Sequence, residues 1–174
     1  MSAEVPEVLD AWRMVATRRS FEGRLPLAAM ARLRDLLADE QGEARFSLEF
    51  GQDALQVPFA ELRIDAQLPL ICQRSLQRFL FPVALVQRLG LIRGSSETIE
   101  ADEAALPPGY EALEIGHDGL LRPADLVEDE LILLVPLVPV NPGSEAVERD
   151  WPVQAEEEAR SNPFAALAAL KKSE

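Results

Sequence analysis

Reactive side chains are scarce in this sequence. Its 174 residues include one cysteine, Cys72, and one histidine, His117. A single cysteine excludes an internal disulfide and a cysteine-rich metal cage, and the Gly-flanked pair His117-Asp118 is typical of a turn. The sequence shows no Ser-His-Asp order, phosphate-binding glycine loop or zinc signature. We therefore predict a protein that is not an enzyme and has neither a metal site nor a cofactor.

Long hydrophobic runs are also missing. The longest uncharged apolar stretch, residues 131–140, is interrupted by two prolines and is far shorter than the roughly 20 residues that span a bilayer. The N-terminus carries Glu4, Glu7 and Asp10 and does not resemble a secretory signal. These features predict a soluble protein of the cytoplasm that does not contact a membrane.

Charge is distributed unevenly within the net value of -13. Residues 1–94 hold 12 arginines and 12 acidic residues, whereas residues 95–174 hold 5 basic and 18 acidic residues. An acidic half repels nucleic-acid phosphates and attracts basic proteins, while the arginine-bearing half can present a local positive patch. The alternative is that the acidity only keeps the protein soluble.

Hydrophobic residues make up 48% of the chain, which suffices for a core. Alternation of apolar and polar residues indicates strands in the first half. Residues 44–50 alternate before a Gly51-Gln52-Asp53 turn, and residues 60–70 alternate over a longer stretch. Polar residues on one face favour an antiparallel sheet. The stretch from Phe79 to Leu91 is predicted to return beside residues 60–70, with Pro82 at an edge or a bulge. Residues 93–109 read as a surface loop and residues 110–115 as a further strand.

Two helices are predicted to pack on this sheet. One runs from Pro26 to about Asp39, because apolar residues recur there at helical spacing. The other covers residues 123–135, since proline suits a helix start and Pro136 ends it. Its apolar half is predicted to be buried and its acidic half to lie in water. An alternative ends this helix near Glu130 and makes residues 131–135 a short buried strand.

The two ends of the chain differ in composition. Residues 1–25 are predicted to be an extended segment or a first strand and carry the densest positive charge, around Arg18, Arg19 and Arg24. Residues 141–161 have the acidic, proline-containing composition of a linker. Residues 162–172 are predicted to form a short helix with proline at its first turn and lysines at its end. The fold class is thus α+β: a domain over residues 1–140 with an antiparallel sheet, open or curled into a partial barrel, then the linker and the C-terminal helix.

Three motifs together resemble the YceD-like family of large ribosomal RNA subunit accumulation proteins. They are Cys72-Gln73-Arg74 at a hairpin tip, the acidic-apolar stretch from Leu126 to Leu133 followed by two prolines, and Asn162-Pro163-Phe164-Ala165 near the C-terminus. Their order and spacing match the family from about Phe21 to Lys171. Many family members carry Cys-x-x-Cys at the hairpin, where this sequence has Ser75. A lone thiolate neither holds zinc nor closes a disulfide, so a metal or redox role is not expected here.

The resemblance implies a non-enzymatic factor for synthesis, processing or stability of large-subunit (23S) ribosomal RNA. The expected partners are the ribosomal RNA precursor, a basic ribosomal protein or an assembly factor. Direct RNA contact through the arginines is one alternative, and an acidic adaptor or chaperone for a basic ribosomal protein is the other. The residues predicted to contact RNA or a partner are Arg18, Arg19, Arg24, Cys72, Gln73, Arg74, Glu128, Asp129, Glu130, Asn162, Pro163 and Phe164.

Overall fold

Strands account for most of the regular structure in residues 6–94 and 103–144, the ranges that the computed structural model describes. The strands are β1 (Leu9–Asp10), β2 (Ser20–Pro26), β3 (Glu43–Gln52), β4 (Pro58–Ile71), β5 (Arg78–Arg93), β6 (Tyr110–Ile115) and β7 (Leu120–Leu121). The helices are α1 (Ala11–Thr17), α2 (Ala31–Arg34) and α3 (Pro123–Leu134), with a 3-10 turn over Leu27–Ala29. The fold is therefore α+β, as the sequence predicts.

The central sheet has the order β2-β3-β4-β5-β6. The strands predicted from alternation are confirmed, although β3 continues through Gly51 and Gln52, so the turn begins two residues later, at Asp53. The prediction of an antiparallel sheet is wrong at one edge, because β6 pairs with β5 in parallel from Arg88 to Arg93. The connection over residues 94–109 supplies the length that a parallel crossover needs.

The sheet is open within the described residues. Strands β2 and β6 stand at the two ends of the strand order and do not pair with each other, so there is no closed barrel there, and the partial barrel stays a prediction. Pro82 lies in the half of β5 that pairs only with β4. This edge position was one of the two predicted for Pro82, and it is favourable because proline has no N–H to donate to a further strand.

The hydrophobic core lies between one face of the sheet and the helices. Inward residues of β3 and β4 alternate with polar residues that face away, and they pack in one cluster with Val127 and Leu131 of α3 and Val15 of α1. A second, two-stranded sheet joins β1 to β7 through the pairs Leu9–Leu121 and Asp10–Leu120. This pairing brings α1 next to the loop that precedes α3. No helix in the described ranges is both long and apolar enough to cross a membrane.

Two segments differ from their predicted structures. The helix predicted from Pro26 to Asp39 is confined to the 3-10 turn and the four residues of α2, because the following chain bonds elsewhere: the Ala38 N–H donates to the Pro69 carbonyl of β4 at 2.8 Å. In the extended segment predicted for residues 1–25, residues 11–17 are helical. The Asp10 carboxylate accepts the Arg13 N–H at 2.9 Å and caps α1.

The stretch after residue 122 folds as the first of its two predicted alternatives. Helix α3 starts at Pro123 and continues through the apolar residues to Leu134, so there is no strand over residues 131–135. The hairpin between β4 and β5 is confirmed, with Cys72 to Ser75 at its tip. The predicted helix over residues 162–172 lies outside the described residues, and so do Asn162, Pro163, Phe164 and all of the linker beyond Ser144.

Candidate functional site

Glu128 joins α3 to α2. Its Oε1 accepts the backbone N–H groups of Arg32 at 2.7 Å and Leu33 at 3.1 Å, in the first turn of α2. Its Oε2 accepts from the Arg32 guanidinium, with the Nη2 at 3.1 Å. A carboxylate at a helix N-terminus satisfies N–H groups that have no partner within the helix. Glu128 is therefore a structural link between two helices.

The sequence analysis predicted that the acidic half of α3 lies in water, and this is wrong for Glu128, whereas Asp125 and Asp129 are exposed. Glu128 is only 8% exposed, and Asp129 beside it pairs with the same Arg32 guanidinium. Burial alone raises the pKa of Glu128, but the N–H groups of Leu33 and Arg32 and the guanidinium outweigh it, so the pKa lies below the usual range. The prediction failed because α2, 95 and 96 residues away in sequence, supplies the partners.

Glu130, the third acid of the motif, has a different environment. Burial, followed by the nearby charges of Glu111 and Asp129, raises its pKa. It makes no ion pair within residues 6–94 and 103–144. Of the three acids predicted as a site, the buried Glu128 and the exposed Asp129 both pair with Arg32, and Glu130 alone keeps its carboxylate unpaired among the described groups.

The tip of the hairpin between β4 and β5 is hydrogen-bonded to the segment that follows α3, residues 139–144. We call this contact the hairpin clasp. The buried Cys72 Sγ accepts the Asn141 N–H at 3.3 Å and the Ser75 N–H at 3.4 Å, and it lies 3.4 Å from the Ser144 Oγ. The Ser144 and Ser75 hydrogen bonds are the main reason that the Cys72 pKa falls to about 6. The Cys72 sulfur thus accepts a hydrogen bond from Asn141, in the segment over residues 139–144, and a lowered pKa favours this role because a thiolate is the better acceptor.

Gln73 and Arg74 extend the same clasp. The Gln73 N–H donates to the Pro139 carbonyl at 2.8 Å, and the Arg74 Nη1 donates to the Ser144 carbonyl at 3.1 Å. Two of the three motifs in the sequence, the hairpin and the prolines after α3, therefore meet at one end of the sheet. The first residues of the predicted linker, Asn141 and Ser144, are held by this contact.

The predicted arginine cluster is divided in the structure. Arg24 lies on the outward face of β2, where it shares the Glu43 Oε1 with Arg45, each at 3.3 Å. Arg18 and Arg19 follow α1 at the start of β2 and have no ion pair among the described residues. Of the three arginines in the predicted cluster, Arg18 and Arg19 therefore keep guanidinium groups that no described carboxylate pairs with.

A groove of about 790 Å³ crosses the outward face of β2, β3 and β4. Arg24, Arg45 and Arg63 line it together with Glu22 and Asp65, and Glu61 pairs with Arg63 and also with Arg88. The positive charge of this face is therefore matched by carboxylates, which makes it a poor match for a polyanion.

Sequence reasoning missed the contact between Arg93 and Trp12. The Arg93 Cζ lies 4.5 Å from the centre of the Trp12 ring, although β5 and α1 are far apart in sequence and no local pattern links them. Within residues 6–94 and 103–144, no three metal-binding side chains cluster, and His117 is exposed in the turn before β7.

Comparison with known proteins gives a family match. The family model described as large ribosomal RNA subunit accumulation protein YceD matches residues 60–171. A Haemophilus influenzae protein named large ribosomal RNA subunit accumulation protein YceD is 29% identical over 174 residues and is matched over 97% of each chain. No solved structure matches this chain. The matched residues include the hairpin tip, α3 and the prolines after it.

Proposed function

Because this chain belongs to the YceD family of large ribosomal RNA subunit accumulation proteins, we propose that it acts in the synthesis, processing or stability of 23S ribosomal RNA. It does so without catalysing a reaction, as a cytoplasmic factor in assembly of the large ribosomal subunit. The observation that carries the proposal is the family match over residues 60–171. The relative in Haemophilus influenzae, with the same printed name and 97% coverage, supports it.

The proposed partner is the ribosomal RNA precursor, bound directly or together with a basic protein of the large subunit. The acidic residues 95–174 suit a basic protein, whereas the arginines of residues 1–94 suit RNA. Crosslinking of tagged full-length protein in cells, followed by identification of RNA and protein neighbours, separates the two. Crosslinks to a basic ribosomal protein without any to RNA would identify the acidic adaptor instead.

Deletion of the gene tests the function itself. We expect the ratio of 23S to 16S ribosomal RNA to fall, and a plasmid that encodes the wild-type protein to restore it. Sucrose-gradient sedimentation should place the tagged protein with precursors of the large subunit. A deletion strain whose 23S to 16S ratio stays normal through growth would refute the proposal.

A further inference from the structure

Arginines without an ion pair concentrate around α1. Within the described residues, carboxylates pair with Arg24, Arg32, Arg34, Arg45, Arg63, Arg78 and Arg88. Arg74 donates to a carbonyl in the hairpin clasp. The remaining ones, Arg13, Arg18, Arg19, Arg93 and Arg122, lie in α1, directly after it, or on elements beside it. We call these five residues and Trp12 the α1 arginine surface.

Two contacts hold the N-terminal end of this surface together. Arg93 at the end of β5 stacks on Trp12 of α1 at 4.5 Å. The Ala11 N–H donates to the Gly119 carbonyl at 2.9 Å, which fixes α1 against the turn before β7. Gly119 has φ +70°, and a Cβ there would meet the Trp12 Cδ1 at 3.1 Å. A glycine is therefore needed for Trp12 and Arg93 to take these positions.

The C-terminal end of the surface is fixed by a helix cap. Arg18 has φ 47° and ψ 52°, and its N–H donates to carbonyls of the last turn of α1. The Arg19 N–H donates to the Met14 carbonyl, and the Arg19 carbonyl accepts the Phe50 N–H of β3. The backbones of both arginines are thus held rigidly while their side chains are exposed. At about 1.5 Å per residue, α1 separates the two ends by roughly 10 Å.

The acidic residues near the surface form no ion pair with it in the described ranges. The Asp10 carboxylate accepts the Arg13 backbone N–H and caps α1, and the Asp118 carboxylate accepts the Leu120 N–H at 3.1 Å. The exposed Glu7 and Glu114 form no ion pair with any described arginine. Five guanidinium groups are therefore without an ion pair among the described residues, in contrast with the paired arginines on the outward face of the sheet.

We propose that the α1 arginine surface contacts an unpaired strand of ribosomal RNA, with guanidinium groups on phosphates and the Trp12–Arg93 pair against a base. Guanidinium groups bind phosphate oxygens through paired N–H donors. An aromatic ring beside an arginine is the arrangement on which single-stranded bases stack. This inference rests on the proposed function, because that function supplies RNA as the partner.

A matched pair of double variants tests the surface. Full-length wild type, Arg13→Gln/Arg19→Gln and Arg24→Gln/Arg45→Gln are titrated with a fluorescein-labelled oligouridylate of about 20 nucleotides at several salt concentrations, with anisotropy as the readout. Each single-strand phosphate contact contributes about 0.7 to the slope of log K against log salt. The surface variant should therefore lose about 1.4 from that slope, while the control, with the same loss of charge, should keep it.

Fluorescence of Trp12 gives a second measurement. The chain has two tryptophans, so the variant Trp151→Phe leaves Trp12 as the only one. Stacking of a base should quench its emission when the oligouridylate is added, whereas a contact through phosphates alone should leave the emission unchanged. Unchanged emission at saturating RNA, or equal loss of slope in both double variants, would overturn the proposal. Thermal melting of each variant confirms that it is folded.

Expression of the same variants in the deletion strain separates this inference from the function on which it rests. Loss of RNA binding together with a lowered 23S to 16S ratio in the surface variant supports both. Loss of binding with a normal ratio overturns the surface and leaves the function intact. Crosslinks from the surface to a ribosomal protein rather than to RNA also overturn it. A deletion strain with a normal ratio refutes the function, and the RNA contact is then judged on binding alone.

Discussion

Glu128 shows how a single residue can be mistaken for a surface group. In sequence it stands among acids at the start of a helix, where a solvated position is the ordinary expectation. In the structure it caps a neighbouring helix and binds a guanidinium that is itself half exposed, with 53% of the Arg32 side chain accessible. Removal of the Glu128 carboxylate leaves the N–H groups of Arg32 and Leu33 unpaired at a buried contact. This lowers the free energy of unfolding by more than the loss of a surface ion pair does.

Replacement of Glu128 tests this structural link. We expect Glu128→Ala to lower the free energy of unfolding by about 2 kcal/mol, through the lost cap and the unpaired N–H groups. In a chain of this length that corresponds to a melting temperature lower by about 4–8 °C. The control, Asp129→Asn, removes only an exposed pair and should melt within about 2 °C of wild type. Equal effects of the two substitutions would contradict the prediction.

The stability that the hairpin clasp contributes is expected to depend on pH through the Cys72 thiol. Hydrogen bonds from Ser144 and Ser75 lower its pKa from 9.0 to about 6 in the folded protein. The thiolate therefore favours folding fully above pH 9, and this contribution is lost as the pH falls through 6. The melting temperature of wild type minus that of Cys72→Ala should shrink between pH 9 and pH 5.

Gln73→Ala provides the comparison for that measurement. Gln73 is bound to the chain after α3 through its backbone N–H, which alanine keeps. The melting temperature of wild type minus that of Gln73→Ala should not change with pH. A Cys72→Ala difference that is equally flat would show that the thiolate does not support the clasp.

At the scale of elements, the hairpin tip is bonded to the segment after α3, and α3 is bonded to α2. The tip holds residues 139–144, and α3 carries the carboxylate that caps α2. Local sequence placed both elements correctly because alternation and proline act over a few residues. Helix α2 is shorter than its apolar spacing predicts, since a contact between Ala38 and β4 replaces the next turn.

The predicted C-terminal helix can be tested by truncation. Phe164, Leu167 and Leu170 would form a short apolar stripe, and a helix of about ten residues is marginal alone in water. We expect deletion of residues 161–174 to leave the melting temperature unchanged and to abolish co-purification with ribosomal precursors, because the stripe would bind a partner as a helix in a groove. A lowered melting temperature with intact association would show that the segment packs on its own domain.

At the scale of the whole molecule, the net negative charge restricts how the protein could bind RNA. The net charge of -13 repels phosphates at long range, and most arginines of the first half are paired internally. Under the proposed function, contact with RNA therefore depends on a small area at short range, and the acidic second half would suit a precursor that also carries basic protein.

This balance predicts weak and steeply salt-dependent RNA binding by the isolated protein. Affinity for a 23S ribosomal RNA fragment should fall at least tenfold between 50 and 200 mM salt, as about three phosphate contacts require. Filter binding across that range measures it. Arg18→Glu/Arg19→Glu should remove most of the binding, and Arg24→Glu much less because Glu43 already pairs with Arg24. Tight binding that salt does not change would instead indicate readout of bases.

The sequence by itself determined the main strands, helix α3 and the family. Strict alternation placed β3 and β4, because a sheet with one face buried fixes which residues point inward. Proline at each end placed α3, and the three spaced motifs identified the YceD family, which the match over residues 60–171 confirmed. Each of these features is carried by neighbouring residues or by fixed spacing.

Only the tertiary structure decided which groups are available to a partner. Glu128 became a buried cap because α2 packs against it, and Arg24 was neutralised because β3 places Glu43 beside it. The parallel pairing of β6 with β5 and the stacking of Arg93 on Trp12 are also contacts between elements that only the folded chain brings together. These contacts join residues that are distant in sequence, and no local periodicity encodes them. Their energies depend on burial and partner geometry, which exist only after the chain has folded.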